Sequence, residues 1–283
     1  SSLAEQKLEF GSSIIVLGFD RRISDKCYAC RPSPDKIERW IETIRRALRS
    51  GILRSGEASK LAGKLQWACQ SLFKRVGRAT IRPIFDQCKK GRGKISPILR
   101  AALIWWEKVL LMGTSEFRVW NPPTNLPIHL FCDAAGTPAR IAAVILCDGL
   151  VLYTDCPPPR QIIELWETRK DQQIMGLELL SIALGLSVFA KEIFGRRVVI
   201  HSDNTGAECC TRKGTAKTFD HCNLVHEMWT HVAQLQAFVW VRRVPTDDNL
   251  ADLPSRSEYR ILEQIQAQRR EPFLDTLYFS ANA

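Results

Sequence analysis

No stretch of this chain approaches eighteen uninterrupted apolar residues, so it lacks a segment able to cross a bilayer as a helix. Its N-terminal stretch, SSLAEQKLEF, lacks the basic-then-apolar order of a signal peptide. Both absences point away from membranes and secretion, and the expected setting is intracellular, cytoplasmic or nuclear. Internal repeats and low-complexity tracts are missing too, which excludes solenoids and linker-like chains. What remains is a globular composition, 45% hydrophobic and 25% charged over 283 residues, long enough for about two domains by the usual domain size.

Cysteine is not scarce, but a disulfide pattern is absent. The ten cysteines are scattered and two are adjacent, Cys209 and Cys210. Without a secretory context they read as reduced thiols. CYAC, with Cys27 and Cys30, has the spacing of half a zinc knuckle, yet no second Cys or His pair lies nearby to complete four ligands. A short strand carrying two thiols is the better reading.

Acidic residues are scarce in one half only. Residues 1–125 carry 24 Lys+Arg against 11 Asp+Glu, net +13, whereas residues 126–283 carry 16 against 19, net −3. Part of any such excess is a solvated surface, but an imbalance confined to one half favours a polyanion-binding module beside a less basic one.

The basic half reads as helical after an extended entry, SSIIVLGF, at residues 12–19. SPDKIERWIETIRRALRSG opens on Ser33 and Pro34, spaces Ile37, Trp40, Ile41, Ile44 and Leu48 helically, and stops at Gly51. SGEASKLAGKLQWACQSLFKRV carries an apolar stripe of Leu61, Leu65, Ala68 and Leu72, and SPILRAALIWWEKVLLMG predicts a further helix. The turn-rich VWNPPTNLP at 119–127 then breaks the pattern and marks a domain boundary. Beyond it come three hairpin-linked strands, a loop to Asp171, a long helix from about Gln172 to Phe194, and the strand RRVVIHSDN. A short helix, a helix from about Phe219 to Leu235, the strand FVWVRRV and a helical stretch opened by Asp247 and Asp248 follow. The predicted class is α/β, a mixed five-stranded sheet with flanking helices.

Two of these strands end alike, IHLFCD at Asp133 and VVIHSD at Asp203. If they lie parallel and adjacent, both acids reach the carboxyl edge of the sheet, where α/β folds place ligands. Glu178 falls one helical turn after Ile174, on the side facing the core. Asp252, in DDNLADLPSR, follows the last strand. Singly, each acid is an ordinary cap or turn former, and Asp252 is placed to pair with Arg256. Together the four form a site for hard cations, which prefer oxygen ligands.

The segment from about 127 to 256, with FCDAAG, QQIMGLELLSIALGL, VVIHSDNTGA and VPTDDNLADLPSR, resembles the ribonuclease H domain of retroelement reverse transcriptases, most of all the tyrosine-recombinase (DIRS-like) elements with their N-x-A-D-x-x-S-R ending. Residues 15–115, with VLGFDRR, SPDKIERW, KLAGKLQWA and GRATIRPI, resemble the palm end, thumb and connection of such polymerases. The resemblance implies a division into palm-like strands (1–25), a basic helical thumb and connection (26–120), a ribonuclease H-like domain (127–260) and a C-terminal tail (261–283). It makes Asp133, Glu178, Asp203 and Asp252 the catalytic metal-binding acids, holding two Mg²⁺ or Mn²⁺ ions, with Asn204 and Asn249 as polar contacts near the site. It departs from the pattern in three ways. No histidine precedes the last acid in RRVPTDDN, Asn249 precedes Asp252 by three residues where many relatives show four, and no Tyr-x-Asp-Asp polymerase motif is present.

The expected activity is two-metal hydrolysis of the RNA strand in RNA·DNA hybrids, within a longer reverse transcriptase polypeptide. Arg45, Arg46, Lys60, Lys64, Lys74, Arg75, Lys89, Lys90, Arg92 and Lys94 are the expected phosphate contacts of the basic half. Trp105 and Trp106 offer a stacking platform, though adjacent helical positions place at least one in the core. His221, His226 and His231 do not share a helix face and are expected at the surface. The alternative is a non-catalytic nucleic-acid-binding scaffold. A transposase-like site is disfavoured because its acids run Asp, Asp, Glu, whereas here the glutamate comes second.

Overall fold

The computed structural model describes residues 11–25, 27–72, 75–89, 93–112, 116–119, 125–167 and 173–275. The chain divides into two compact units, Ser1–Pro122 and Pro123–Ala283. The turn-rich boundary at 120–124 lies outside the described residues.

In the first unit, strands β1 (Ser13–Val16), β2 (Phe19–Ile23) and β3 (Cys27–Pro32) form an antiparallel meander. Helices α1 (Pro34–Ser50), α2 (Ser55–Ala68), α3 (Arg82–Gln87) and α4 (Pro97–Leu111) follow, and β4 (Glu116–Val119) returns to pair with β3. The region from 26 onward therefore carries the strands β3 and β4 beside its helices. CYAC is the strand β3. Residues three apart on a strand point to opposite faces, so Cys27 and Cys30 do not converge as a metal knuckle would require.

α1 forms as its sequence dictates, with Pro34 in its first turn and Gly51 closing it at φ 68°, where only glycine is unstrained. Its buried Trp40, Ile41 and Ile44 meet Leu61 and Leu65 of α2 and Leu103 and Trp106 of α4 in one core. Trp106 is fully buried and Trp105 partly so, which makes the Trp pair core material.

The second unit is built on a six-stranded sheet, one strand more than expected, in the order β10 (Gln268–Arg269), β7 (Leu150–Cys156), β6 (Ala139–Cys147), β5 (Ile128–Gly136), β8 (Arg197–Ser202) and β9 (Phe238–Arg243). β5, β6 and β7 are antiparallel. Asp148 and Gly149, at φ 49° and 80°, make the two-residue turn between β6 and β7. α5 (Arg160–Glu167) occupies the region read as loop; its Trp166 is buried and donates to Asp220 Oδ2 at 2.6 Å. α6 (Ile174–Val188) ends six residues before Phe194, and a separate turn, α7 (Ala190–Ile193), follows Phe189. β8 (Arg197–Ser202), α8 (Thr205–Lys213), α9 (Phe219–Gln234) and β9 (Phe238–Arg243) complete the crossover units, with β8 parallel to both β5 and β9.

Residues 176–187 of α6 are all buried, because the helix lies between the sheet strands β5 and β6 and the helix α9. A Cβ on Gly185 would meet Leu130 Cδ1 at 2.9 Å and Ala143 Cβ at 3.1 Å, so glycine lets the helix approach the sheet closely. α9 is buried nearly all round. That is why His221, His226 and His231, expected at the surface, are each at most 8% exposed. The other sheet face, in the row Phe131, Val144 and Tyr153, is covered by the chain after β9: Val244, Leu250, Ala251, α10 (Asp252–Ser255), α11 (Arg260–Gln264) and Ala267. The sixth strand, β10 (Gln268–Arg269), pairs parallel with β7. Residues after 260, read as a tail, thus supply a helix and a strand. This mixed sheet with helices on both faces is compatible with a ribonuclease H-like fold.

Candidate metal centre

The β5–β8 ladder ends at Phe131↔His201, two residues before Asp133 on one strand and Asp203 after the other. The parallel register therefore brings both acids to the same edge, at the point where the two strands cease to pair. Glu178, one turn into α6, reaches the same place. One carboxylate oxygen from each of Asp133, Glu178 and Asp203 lies within 4.8 Å of the others. Asp133 and Glu178 are 4% exposed; Asp203 is half-buried.

Burial and mutual repulsion shape this cluster. Burial pushes the Glu178 carboxyl up to about 9, with the charges of Asp133 and Asp203 adding to the effect and a main-chain hydrogen bond from Ala134 opposing it. Burial also raises Asp133, to about 6; a hydrogen bond from Ser255 opposes the shift, and the charges of Asp203 and Asp252 reinforce it. The buried thiol of Cys132, beside Glu178 and Asp133, is held well above the usual thiol range. Glu178 Oε2 is buried and has no hydrogen-bond partner among the described residues. Three converging carboxylates, one with an orphaned oxygen, are chemically matched to a divalent cation: all donors are oxygen, and a positive ion relieves both the desolvation and the repulsion.

The chain after β9 holds the acids in place. Ser255 Oγ donates to Asp133 Oδ2 at 2.5 Å, and Asn249 Nδ2 donates to the Cys132 carbonyl at 3.1 Å and to Asp133 Oδ1 at 3.4 Å. Thr246 Oγ1 donates to Asp203 Oδ2 at 2.8 Å. Asp252 sits near enough to raise both Asp133 and Glu178, but its Oδ1 accepts from Arg256 Nε at 2.8 Å and it is not among the three converging acids. Asn204 is committed locally, its Oδ1 accepting from the Ala207 N–H at 3.0 Å as the N-cap of α8.

No family model and no curated protein matches the chain. Among solved structures it is similar to a foamy viral protease-reverse transcriptase in complex with double-stranded DNA. The match has 10% identity and a TM-score of 0.29, and covers 83% of this chain. The chain spans 38% of the length of that neighbour.

Of the expected phosphate contacts, Lys60, Lys64, Lys89 and Lys94 are exposed and Arg75 is half-buried. Arg45 pairs with Glu107 at 2.6 Å and Arg46 with Glu57 at 3.2 Å, so both have acidic partners. Lys74, Lys90 and Arg92 lie outside the described residues. No helix among the described residues is long and apolar enough to cross a membrane. Sequence reasoning passed over Thr246 and took Ser255 only as part of the N-x-A-D-x-x-S-R ending, without a role at the site. Ser255 stands one helical turn after Asp252, a spacing that could have drawn attention to it.

Proposed function

We propose that this chain is a metal-dependent endonuclease that hydrolyses the RNA strand of RNA·DNA hybrids, the ribonuclease H part of a retroelement reverse transcriptase of the tyrosine-recombinase type. The observation that carries the reading is the convergence of Asp133, Glu178 and Asp203 within 4.8 Å, with one Glu178 oxygen buried and unpartnered. When bound, two Mg²⁺ or Mn²⁺ ions would supply the increased acidity of a water and the charge neutralisation that phosphodiester hydrolysis needs. Asp133, Glu178 and Asp203 would hold the ions through their carboxylate oxygens. Asp252 would join from the rim once freed of Arg256. With no histidine in the loop before Asp252, the departing oxygen would take its proton from water or from another residue. The exposed Lys60, Lys64, Lys89 and Lys94 would follow phosphates without reading sequence.

The pairing of Asp252 with Arg256 favours a second reading, a nucleic-acid-binding scaffold without hydrolysis. An end-labelled RNA strand in an RNA·DNA hybrid, incubated with Mg²⁺ or Mn²⁺, separates the two. Cutting that Asp203→Asn lowers by about 10²- to 10³-fold, the scale of one lost electrostatic stabiliser, is the expected result. Salt-sensitive binding without cutting would give the scaffold reading.

A further inference from the structure

The three acids have an unequal supply of hydrogen bonds. Asp133 receives a donor on each carboxylate oxygen, Ser255 Oγ on Oδ2 and Asn249 Nδ2 on Oδ1. Glu178 has an oxygen with none. A carboxylate torsion is broad and nearly two-fold, so a free Asp133 would sample many planes. Two donors on opposite oxygens fix one plane. An ionised carboxylate offers about four lone-pair sites, so both oxygens keep capacity for a cation after accepting these bonds.

The Ser255 hydroxyl has one proton and two acceptors in reach, Asp133 Oδ2 at 2.5 Å and the Asp252 carbonyl at 2.9 Å. The shorter contact goes to the group that carries the charge, and charge-assisted hydrogen bonds are about twice as strong as neutral ones, so the proton goes to Asp133. Ser255 is itself fixed. It is 2% exposed, ends the single turn of α10, and is carried by a segment whose Leu250, Ala251 and Leu253 pack on Phe131, Val144 and Tyr153. Asn249, 3% exposed, ties the start of that segment to the Cys132 carbonyl.

The geometry points to Ser255 as a positioning residue that sets the Asp133 carboxylate for cation binding, with Asn249 as its partner on the other oxygen. The inference rests on the reading of Asp133, Glu178 and Asp203 as a metal site. Partners that orient a metal ligand change metal affinity by about 10- to 100-fold when removed.

The test is titration of the full chain with Mn²⁺ alone, reading free Mn²⁺ by electron paramagnetic resonance beside the unfolding midpoint of the metal-free protein. Ser255→Ala removes one oxygen and creates no overpacking. The control is Ser187→Ala, which deletes another buried hydroxyl, one bonded to the main chain at Ala183 and Asp275. The expected result is an Mn²⁺ dissociation constant raised about 10- to 100-fold in Ser255→Ala and unmoved in Ser187→Ala. Ser255→Thr, which keeps the hydroxyl, should recover most of the affinity. Wild-type affinity in Ser255→Ala, with binding abolished in Asp203→Asn, would overturn the role of Ser255 while leaving the metal site standing. Absence of Mn²⁺ binding by the wild type, or binding indifferent to Asp203→Asn, would overturn both.

Discussion

Glu178 and His226 show the same physics with opposite signs. Burial disfavours whichever form is charged, so it lifts the carboxyl of Glu178 to about 9 and lowers the imidazole of His226 to about 4. His226 has a clear consequence for stability. Its proton affinity is lower in the folded chain than in the unfolded one, so stability is full above about pH 6.5 and is lost as pH falls toward about 4. The loss approaches roughly 3 kcal/mol at the acid end, the free-energy equivalent of that shift. In His226→Leu, urea denaturation between pH 7 and pH 4 should show a shallower decline than in the wild type. Identical slopes would mean that His226 finds a protonated-state partner. At this scale the sequence was readable where chemistry conflicted with context: an acid closing VVIHSD or IHLFCD, or sitting within GLELL, stands out against its apolar neighbours. Ser255 presents no such conflict, because a serine suits a helical turn anywhere. Its contact with Asp133 spans 122 positions, a separation no local pattern encodes.

Among the elements, the chain after β9 depends on one buried acid. Asp155 of β7, with a fully buried side chain, is paired with Arg140 of β6, accepts from Tyr259 Oη at 3.0 Å, and is joined by Arg269 of β10 at 3.4 Å. Tyr259 and Arg269 flank α11, so Asp155 pins that helix and β10 to the sheet. Asp155→Asn should cost about 2 to 3 kcal/mol, less than the roughly 3 to 5 of a fully buried pair because both guanidinium groups reach solvent. Hydrogen exchange should show protection lost first over residues 260–270; uniform loss across the sheet would place the pin elsewhere. Elements with a full period or clear caps, α1 and β5 among them, could be read from sequence. α5 could not, because CPPP ahead of it reads as loop and the helix is held down by the buried Ile162 and by Trp166, inserted beside His221 and Gly176. β10 is two residues long, too short for any alternation to register.

Over the whole molecule, charge separates the two units as sharply as structure does. On the proposed function, the +13 of residues 1–125 predicts nucleic-acid binding that weakens steeply with salt. Replacing the exposed Lys60 and Lys64 together by glutamine should lower the slope of log affinity against log salt by about 1 to 2 in filter binding, each cation having displaced about one counterion. Mn²⁺ affinity should not move. An unchanged slope would put the phosphate track on other cations.

The six-stranded sheet has two borders, and neither invites another strand. β9 ends in the exposed cations Arg242 and Arg243, and β10 offers only Gln268 and Arg269, both exposed, over the apolar run of β7. Long flat apolar edges template aggregation, and short or charged ones frustrate it. The last strand thus blocks the β7 edge at Leu152 and Tyr153, where the same strand of a second molecule would otherwise pair.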